Sequence, residues 1–235
     1  MSVRTVISPE SRTQTRHAAT LDRLAGTGGL VFAAILIMQN IIRASAPGFD
    51  AAPAQVTAYF LTHRAAAVVP LGLFPIGLLA LFPFIAGVWA GARQEESRWW
   101  AGVGALGAAT IAALFAVVNI TEIVLAARAG RLASSPAVIE ALWTLHAAAF
   151  GLDLAAIAVA LIGLSRAAAS IPLIPAWLAV AALPGAACLL TAAVFTVALA
   201  NGGAWVLALG LAGFSIWLVF VVVASVALLR GRRTP

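Results

Sequence analysis

Residues 205–229 read WVLALGLAGFSIWLVFVVVASVALL, an apolar run without one ionisable side chain. A stretch of about 20 such residues, rising about 1.5 Å each as a helix, crosses the hydrocarbon core of a bilayer. Upstream lie five more segments of the same kind, at 25–45, 65–90, 101–127, 138–165 and 173–200. The composition agrees: 63% of the 235 residues are hydrophobic, 9% are charged, and mean hydropathy is +1.05. No soluble domain of this size has such a balance. The expected fold is therefore all-α, a polytopic bundle of six transmembrane helices, with residues 25–229 as one membrane domain between tails at 1–24 and 230–235. The polar stretch of more than 20 residues ahead of the first span argues against a cleavable signal peptide, so this span is expected to remain as a helix.

All 14 basic residues are arginine, a coding signature that suggests a high-GC, actinobacterial source. Arg4, Arg12, Arg16, Arg23, Arg93, Arg98, Arg166, Arg230, Arg232 and Arg233 flank the spans on one side; only Arg43, Arg64, Arg128 and Arg131 flank the other. The positive-inside rule then places both termini in the cytoplasm of a bacterial cell, in a multi-pass plasma-membrane protein. Arginines at helix ends also explain the net charge of +6 through anionic headgroups, so the partner they imply is the lipid bilayer and not nucleic acid. Trp89, Trp99 and Trp100 form part of an inner aromatic belt and Trp205 part of an outer one.

Residues 46–64 are the one sizeable connection, and they are read as an extracytoplasmic amphipathic segment. Val56, Tyr59, Phe60 and His63 recur at i, i+3, i+4 and i+7, which gives a short helix one apolar face. That helix either lies on the outer membrane surface or roofs a cavity, and Asp50 is a candidate cap for it. Ser135 and Pro136 have the pattern of an N-cap followed by proline at the first helical position. Pro70, Pro75 and Pro83 predict a kinked second span, and Gly87 with Gly91 permits a close helix approach.

Polar groups inside the spans carry the functional information, because an ionisable group near the bilayer centre costs about 2.5 to 3.5 kcal/mol on insertion scales. Gln39 and Asn40 lie in the first span, Asn119, Thr121 and Glu122 in the third, and Trp143, His146 and Asp153 in the fourth. At the helical rise, Asn40 and Glu122 sit about 7 Å below the outer end, His146 about 12 Å, and Asp153 about 10 Å deeper again. Trp143, His146, Phe150 and Asp153 are spaced 3, 4 and 3, a single stripe that must face protein or water. Arg43, three and four residues beyond Asn40 and Gln39, is the candidate counter-ion for Glu122.

These residues outline a polar cavity open toward the outer side, with Asp153 at its floor. Asp153, Glu122 and His146 are the candidate catalytic groups; Asn40, Asn119, Trp143, Phe150 and Gln39 are the candidate substrate-binding ones. A carboxyl held at such depth is a candidate general acid. The opposing reading is that the polar groups pair across helices and only fix the bundle. No cofactor is expected. His63 and His146 would be two haem ligands on different helices, but no H-E-x-x-H or C-x-x-C-H spacing supports haem or metal. Phosphate-binding glycine loops and a nucleophile elbow are absent from the sequence, and the single Cys188 permits no disulfide within the chain.

The stretches AQVTAYFLTHRAAAVVPLGL (54–73) and SIPLIPAWLAVAALPGA (170–186) resemble a group of uncharacterised, mostly actinobacterial, six-helix integral membrane proteins that share a domain of unknown function. The resemblance implies a six-helix bundle and supplies no activity or site residue. Three function classes stay open: an enzyme doing non-redox acid–base chemistry, such as isomerisation, cyclisation or hydration, on a lipophilic small molecule; a proton-coupled transporter or permease subunit using Asp153; and an accessory or scaffold subunit. The transporter class implies a homodimer or larger complex, because the chain has no recognisable internal repeat.

Overall fold

The computed structural model describes residues 9–231, with side chains from 17 onward. The outermost parts of both tails, with Arg4, Arg232 and Arg233, fall outside the described residues, as do the side chains of Arg12 and Arg16. The chain is an all-helical bundle in which α1 (Pro9–Ile42) ends in a 3-10 turn (Arg43–Ser45) and is followed by the short α2 (Pro53–Thr62). Then come α3 (Arg64–Gly91), α4 (Glu95–Leu132), α5 (Pro136–Ser170), α6 (Ala176–Val194), α7 (Thr196–Ala200) and α8 (Ala204–Leu229). Among the described residues, six helices are long and apolar enough to cross a membrane. The first of these spans begins at His17, although its helix is continuous from Pro9 through much of what reads as a tail.

Around the bundle, α1 lies between α3 and α8, and α4, α5 and α6 complete the circuit. One end carries the connections at 43–63, 133–135 and 201–203, and is called the loop end; the other holds the described chain ends and the links at 92–94 and 171–175. α5 is pushed inward: two-thirds of its most apolar stretch is buried, against 39% or less in every other span. Trp89, Trp99 and Trp205 stay roughly half exposed near helix ends, as an interfacial belt requires.

Glycine sets the tightest seams, because in lipid the helices gain from close van der Waals approach and not from hydrophobic burial. A Cβ on Gly104 would lie 2.7 Å from the Leu164 backbone nitrogen, and one on Gly107 would lie 2.5 Å from that of Ala160. Gly163 faces the Gly104 backbone in return, so α4 and α5 touch main chain to main chain. Gly87 does form a close approach, against Ala25 of α1.

Two expectations change. The segment 173–200 is not one helix: α6 starts after Pro175, and the run breaks at Phe195 before the short α7. The Thr196 hydroxyl donates to the Ala193 carbonyl at 2.6 Å, the acceptor that the amide of residue 197 would otherwise use in a continuous helix. Thr196 also packs on Gly151 of α5, which fixes the offset. In addition, the apolar face of α2 packs on the bundle itself. Its face of Val56, Tyr59 and Phe60 is buried against Leu125, Ala129, Ile139 and Trp143 of α4 and α5. His63, the fourth member of the stripe, is exposed at the helix end. Ala52, not Asp50, occupies the N-cap of α2, and Ser135 takes the N-cap position of α5 without a hydroxyl cap bond.

Filling the α4/α5 seam should be costly. Gly104→Leu is expected to destabilise the bundle by about 1 to 3 kcal/mol through overpacking. Gly72→Ala, where a Cβ meets nothing within 4 Å, should be neutral or stabilising. Thermal unfolding midpoints of the purified protein in detergent check both.

Candidate functional site

At the loop end the chain forms a half-open cavity of about 440 Å³. The 3-10 turn that ends α1 turns Arg43 inward, across to α4. There its Nη2 donates to Glu122 Oε2 at 2.7 Å in a close ion pair. The pair is largely shielded, with side-chain exposures of 20% for Arg43 and 9% for Glu122. The Arg43 guanidinium also lies over the Phe115 ring, 5.7 Å from its centroid. The second carboxylate oxygen, Oε1, is 3.6 Å from Nδ1 of the buried His146, just beyond direct hydrogen bonding.

His146 is held by its own helix and by the loop above it. One turn back along α5, Trp143 stacks on its ring at 4.5 Å between centroids and 8° between planes. The indole Nε1 donates to the Gly48 carbonyl at 2.9 Å, which ties the 46–52 loop down over the cavity. Phe49, carried by that loop, packs against both His146 (5.9 Å) and Phe150 (5.2 Å). Asp50 rests against Gly202, whose φ of 77° and lack of a Cβ let the two loops meet. The site is thus covered by two loops cross-braced above an ion pair and an imidazole.

The candidate residues divide. Glu122, His146, Arg43, Gln39, Asn40, Trp143 and Phe150 all border the large cavity. Gln39 spends its amide on an interhelical bond, donating from Nε2 to the Pro70 carbonyl at 2.7 Å. Asn40 donates back to Leu36 O at 2.8 Å. Asn119 does not border the cavity: its Nδ2 donates to Phe115 O of its own helix at 2.7 Å, and its buried Oδ1 has no partner.

Asp153 is not the floor of the large cavity either. Two turns deeper than His146, it borders two small voids of about 50 and 60 Å³, which continue beneath Phe115 and Phe150, and its Oδ1 is buried without a hydrogen-bond partner. The helical stripe is real, but the bulk of Phe150 intervenes between its upper and lower members. His63, by contrast, stacks on Tyr59 and bonds to Thr62 at the exposed end of α2. Tyr59, outside the spans, has its phenol pushed up from the ordinary value, first by burial and then by the charge of Glu122. α2 therefore sits within electrostatic reach of the site.

Sequence reading does not single out Phe49, Gly48, Gly202, Leu207 or Leu211, all of which line the cavity. Gly48-Phe49-Asp50 carried the available signal, an aromatic next to glycine in a connection otherwise made of small residues. No protein-family model, curated protein or solved structure matches the chain, so the reading of this site rests on its geometry.

Breaking the ion pair from either side leaves a buried charge uncompensated, at a cost of about 3 to 5 kcal/mol. Arg43→Met should therefore lower the unfolding midpoint sharply, and adding Glu122→Gln to it should restore part of the loss. Strictly additive midpoints across this double-mutant cycle would show that the two groups do not depend on each other.

Proposed function

We propose that this integral membrane protein binds a lipophilic small molecule in the loop-end cavity and performs non-redox acid–base chemistry on it, with Glu122 and His146 as the proton-handling pair. The observation that carries this reading is a buried carboxylate and a buried imidazole 3.6 Å apart, both bordering one 440 Å³ cavity. That volume lies within the range of small-molecule sites, and a mostly apolar wall with a few convergent polar groups is their usual make-up. Arg43 acts as the positioning residue: by holding Oε2, it leaves Oε1 directed at His146. Trp143 fixes the imidazole plane.

Two such groups suffice for an isomerisation. One protonates a carbon or oxygen of the substrate, the other removes a proton from a neighbouring carbon, the double bond moves, and the enzyme returns to its starting protonation state through exchange between the pair. Cyclisation uses the same two steps with a carbon–carbon bond formed between them, and hydration adds one water. The arginine asymmetry supports an outward-facing loop end in a bacterial plasma membrane in this reading.

A second reading, a proton-coupled carrier, draws on Asp153, whose carboxyl oxygen is buried and unpartnered midway along α5. One experiment separates the two. Purified protein in detergent is incubated with a total lipid extract of its host, and conversion is followed by mass spectrometry. The enzyme reading expects turnover without a sealed compartment. It also expects a loss of about 10²-fold or more in His146→Gln and in Glu122→Gln, with turnover normalised to the folded fraction because Glu122→Gln also leaves Arg43 unpaired. Full turnover in Glu122→Gln removes the proposed pair. The carrier reading expects no conversion, together with proton uptake into proteoliposomes that Asp153→Asn abolishes.

A further inference from the structure

The contact between α1 and α8 changes character along its length. Toward the chain ends it is closed: a Cβ on Gly26 would lie 2.6 Å from the Ser225 carbonyl oxygen, and Gly29 lies against the Ser225 side chain. Ala25, Ala33, Val221, Ala224 and Leu228 are all buried there. Toward the loop end the two helices border a shared void instead. Leu36 and Asn40 of α1 and Leu207 and Leu211 of α8 all line the large cavity, and Asn40, Leu207 and Leu211 also line the 60 Å³ void below it. Asn40, Leu207 (39%) and Leu211 (50%) are at the same time exposed, and the cavity that they border is not closed. Exposed side chains from two neighbouring helices at the edge of an unclosed cavity point to an opening between those helices. At this depth the surroundings are acyl chains, not water.

The opening has direction. Leu207, Leu211 and Phe214 are spaced i, i+4 and i+7, one stripe of α8 that leads from the cavity mouth toward mid-bundle. Its polar terminus is Arg43, Glu122 and His146. Because Arg43 and Glu122 neutralise each other across 2.7 Å, an anionic headgroup entering there would meet the Glu122 carboxylate, and a cationic one would meet the guanidinium. A neutral oxygen function meets neither penalty, while the guanidinium N–H groups of Arg43 not used by Glu122 Oε2 can donate to it.

We propose that the loop-end seam between α1 and α8 is a lateral lipid portal and chain-binding groove, which takes an uncharged single-chain lipid with a hydroxyl or carbonyl head. The head sits at Arg43, Glu122 and His146, and the alkyl or polyprenyl chain runs out between Asn40 and Leu211 into the leaflet. This rests on the cavity reading above and deepens it by naming the substrate class and the route of entry.

The test uses the full chain in phosphatidylcholine nanodiscs with three photoactivatable probes: hexadecanol with a diazirine at mid-chain, hexadecanol with a diazirine beside the head, and mid-chain-labelled hexadecanoic acid. Labelled peptides are mapped by mass spectrometry. The mid-chain alcohol should concentrate on 36–43 and 204–214 over the lipid-facing side of α3. Leu211→Trp, which fills the mouth, should reduce that labelling about ten-fold, as expected from expelling a few methylenes. Leu79→Trp, at a lipid-facing position of α3 that is 73% exposed, should not change it. Leu207→Trp replaces Leu211→Trp should the latter fail to fold, and the wild-type map needs neither. Even labelling of all lipid-facing helices overturns the portal. If the head-labelled probe still marks 46–50 and 143–150 in that case, the portal alone falls and the cavity reading stands; if it marks neither, both fall. Equal labelling by the acid overturns the uncharged head.

Discussion

The ion pair between Arg43 and Glu122 is the constraint on which the loop end depends. Neither partner is tolerable alone at its depth, since an isolated charge in a low-dielectric setting is far more costly than a paired one. Arg43 must therefore lie at the end of α1 where a 3-10 turn can direct it inward, and Glu122 must lie on the face of α4 that meets it. Once these two are fixed, the loop from 46 to 52 has little freedom left. It leaves the arginine, crosses the cavity, is caught by the Trp143 indole at Gly48, and drops Phe49 onto His146 and Phe150.

The remainder of the bundle is held by a different physics. Away from the ion pair, the seams are lined by glycine and alanine, and their stability comes from dispersion at close range. The division is spatial: backbone-to-backbone contact dominates the α4/α5 seam and the half of the α1/α8 seam near the chain ends, while paired polar groups and aromatic stacking dominate the loop end.

Much of this was legible in the sequence, for reasons that can be named. Six apolar runs specify six spans because lipid leaves the backbone no alternative to helix. The pairing of Arg43 with Glu122 was legible because a lone intramembrane carboxylate demands a cation and few are within reach. The spacing of Trp143, His146, Phe150 and Asp153 correctly gave one stripe, yet a helical wheel carries no information on side-chain bulk between neighbours, and Phe150 separates Asp153 from the cavity. Asn119 misled for a related reason: an asparagine at a buried face can satisfy its amide on its own helix, as it does with Phe115 O. The break at Phe195 was hidden because neither proline nor glycine marks it. The α8 wall was hidden because Leu207 and Leu211 look like any lipid-facing leucine, and nothing in their spacing tells that they also border the cavity.

The inward position of α5 bears on how the sequence can drift. A lipid-facing helix asks only for apolarity at most positions, so one aliphatic residue replaces another there at little cost, and α8 outside its seams is free in that sense. α5 has less latitude: with two-thirds of its core stretch buried, most of its residues answer to a specific neighbour on α4, α6, α7 or α8. Homologous chains should therefore diverge fastest on the outward faces of α3 and α8 and slowest along α5. The axis of the bundle then also serves as its most durable record of ancestry.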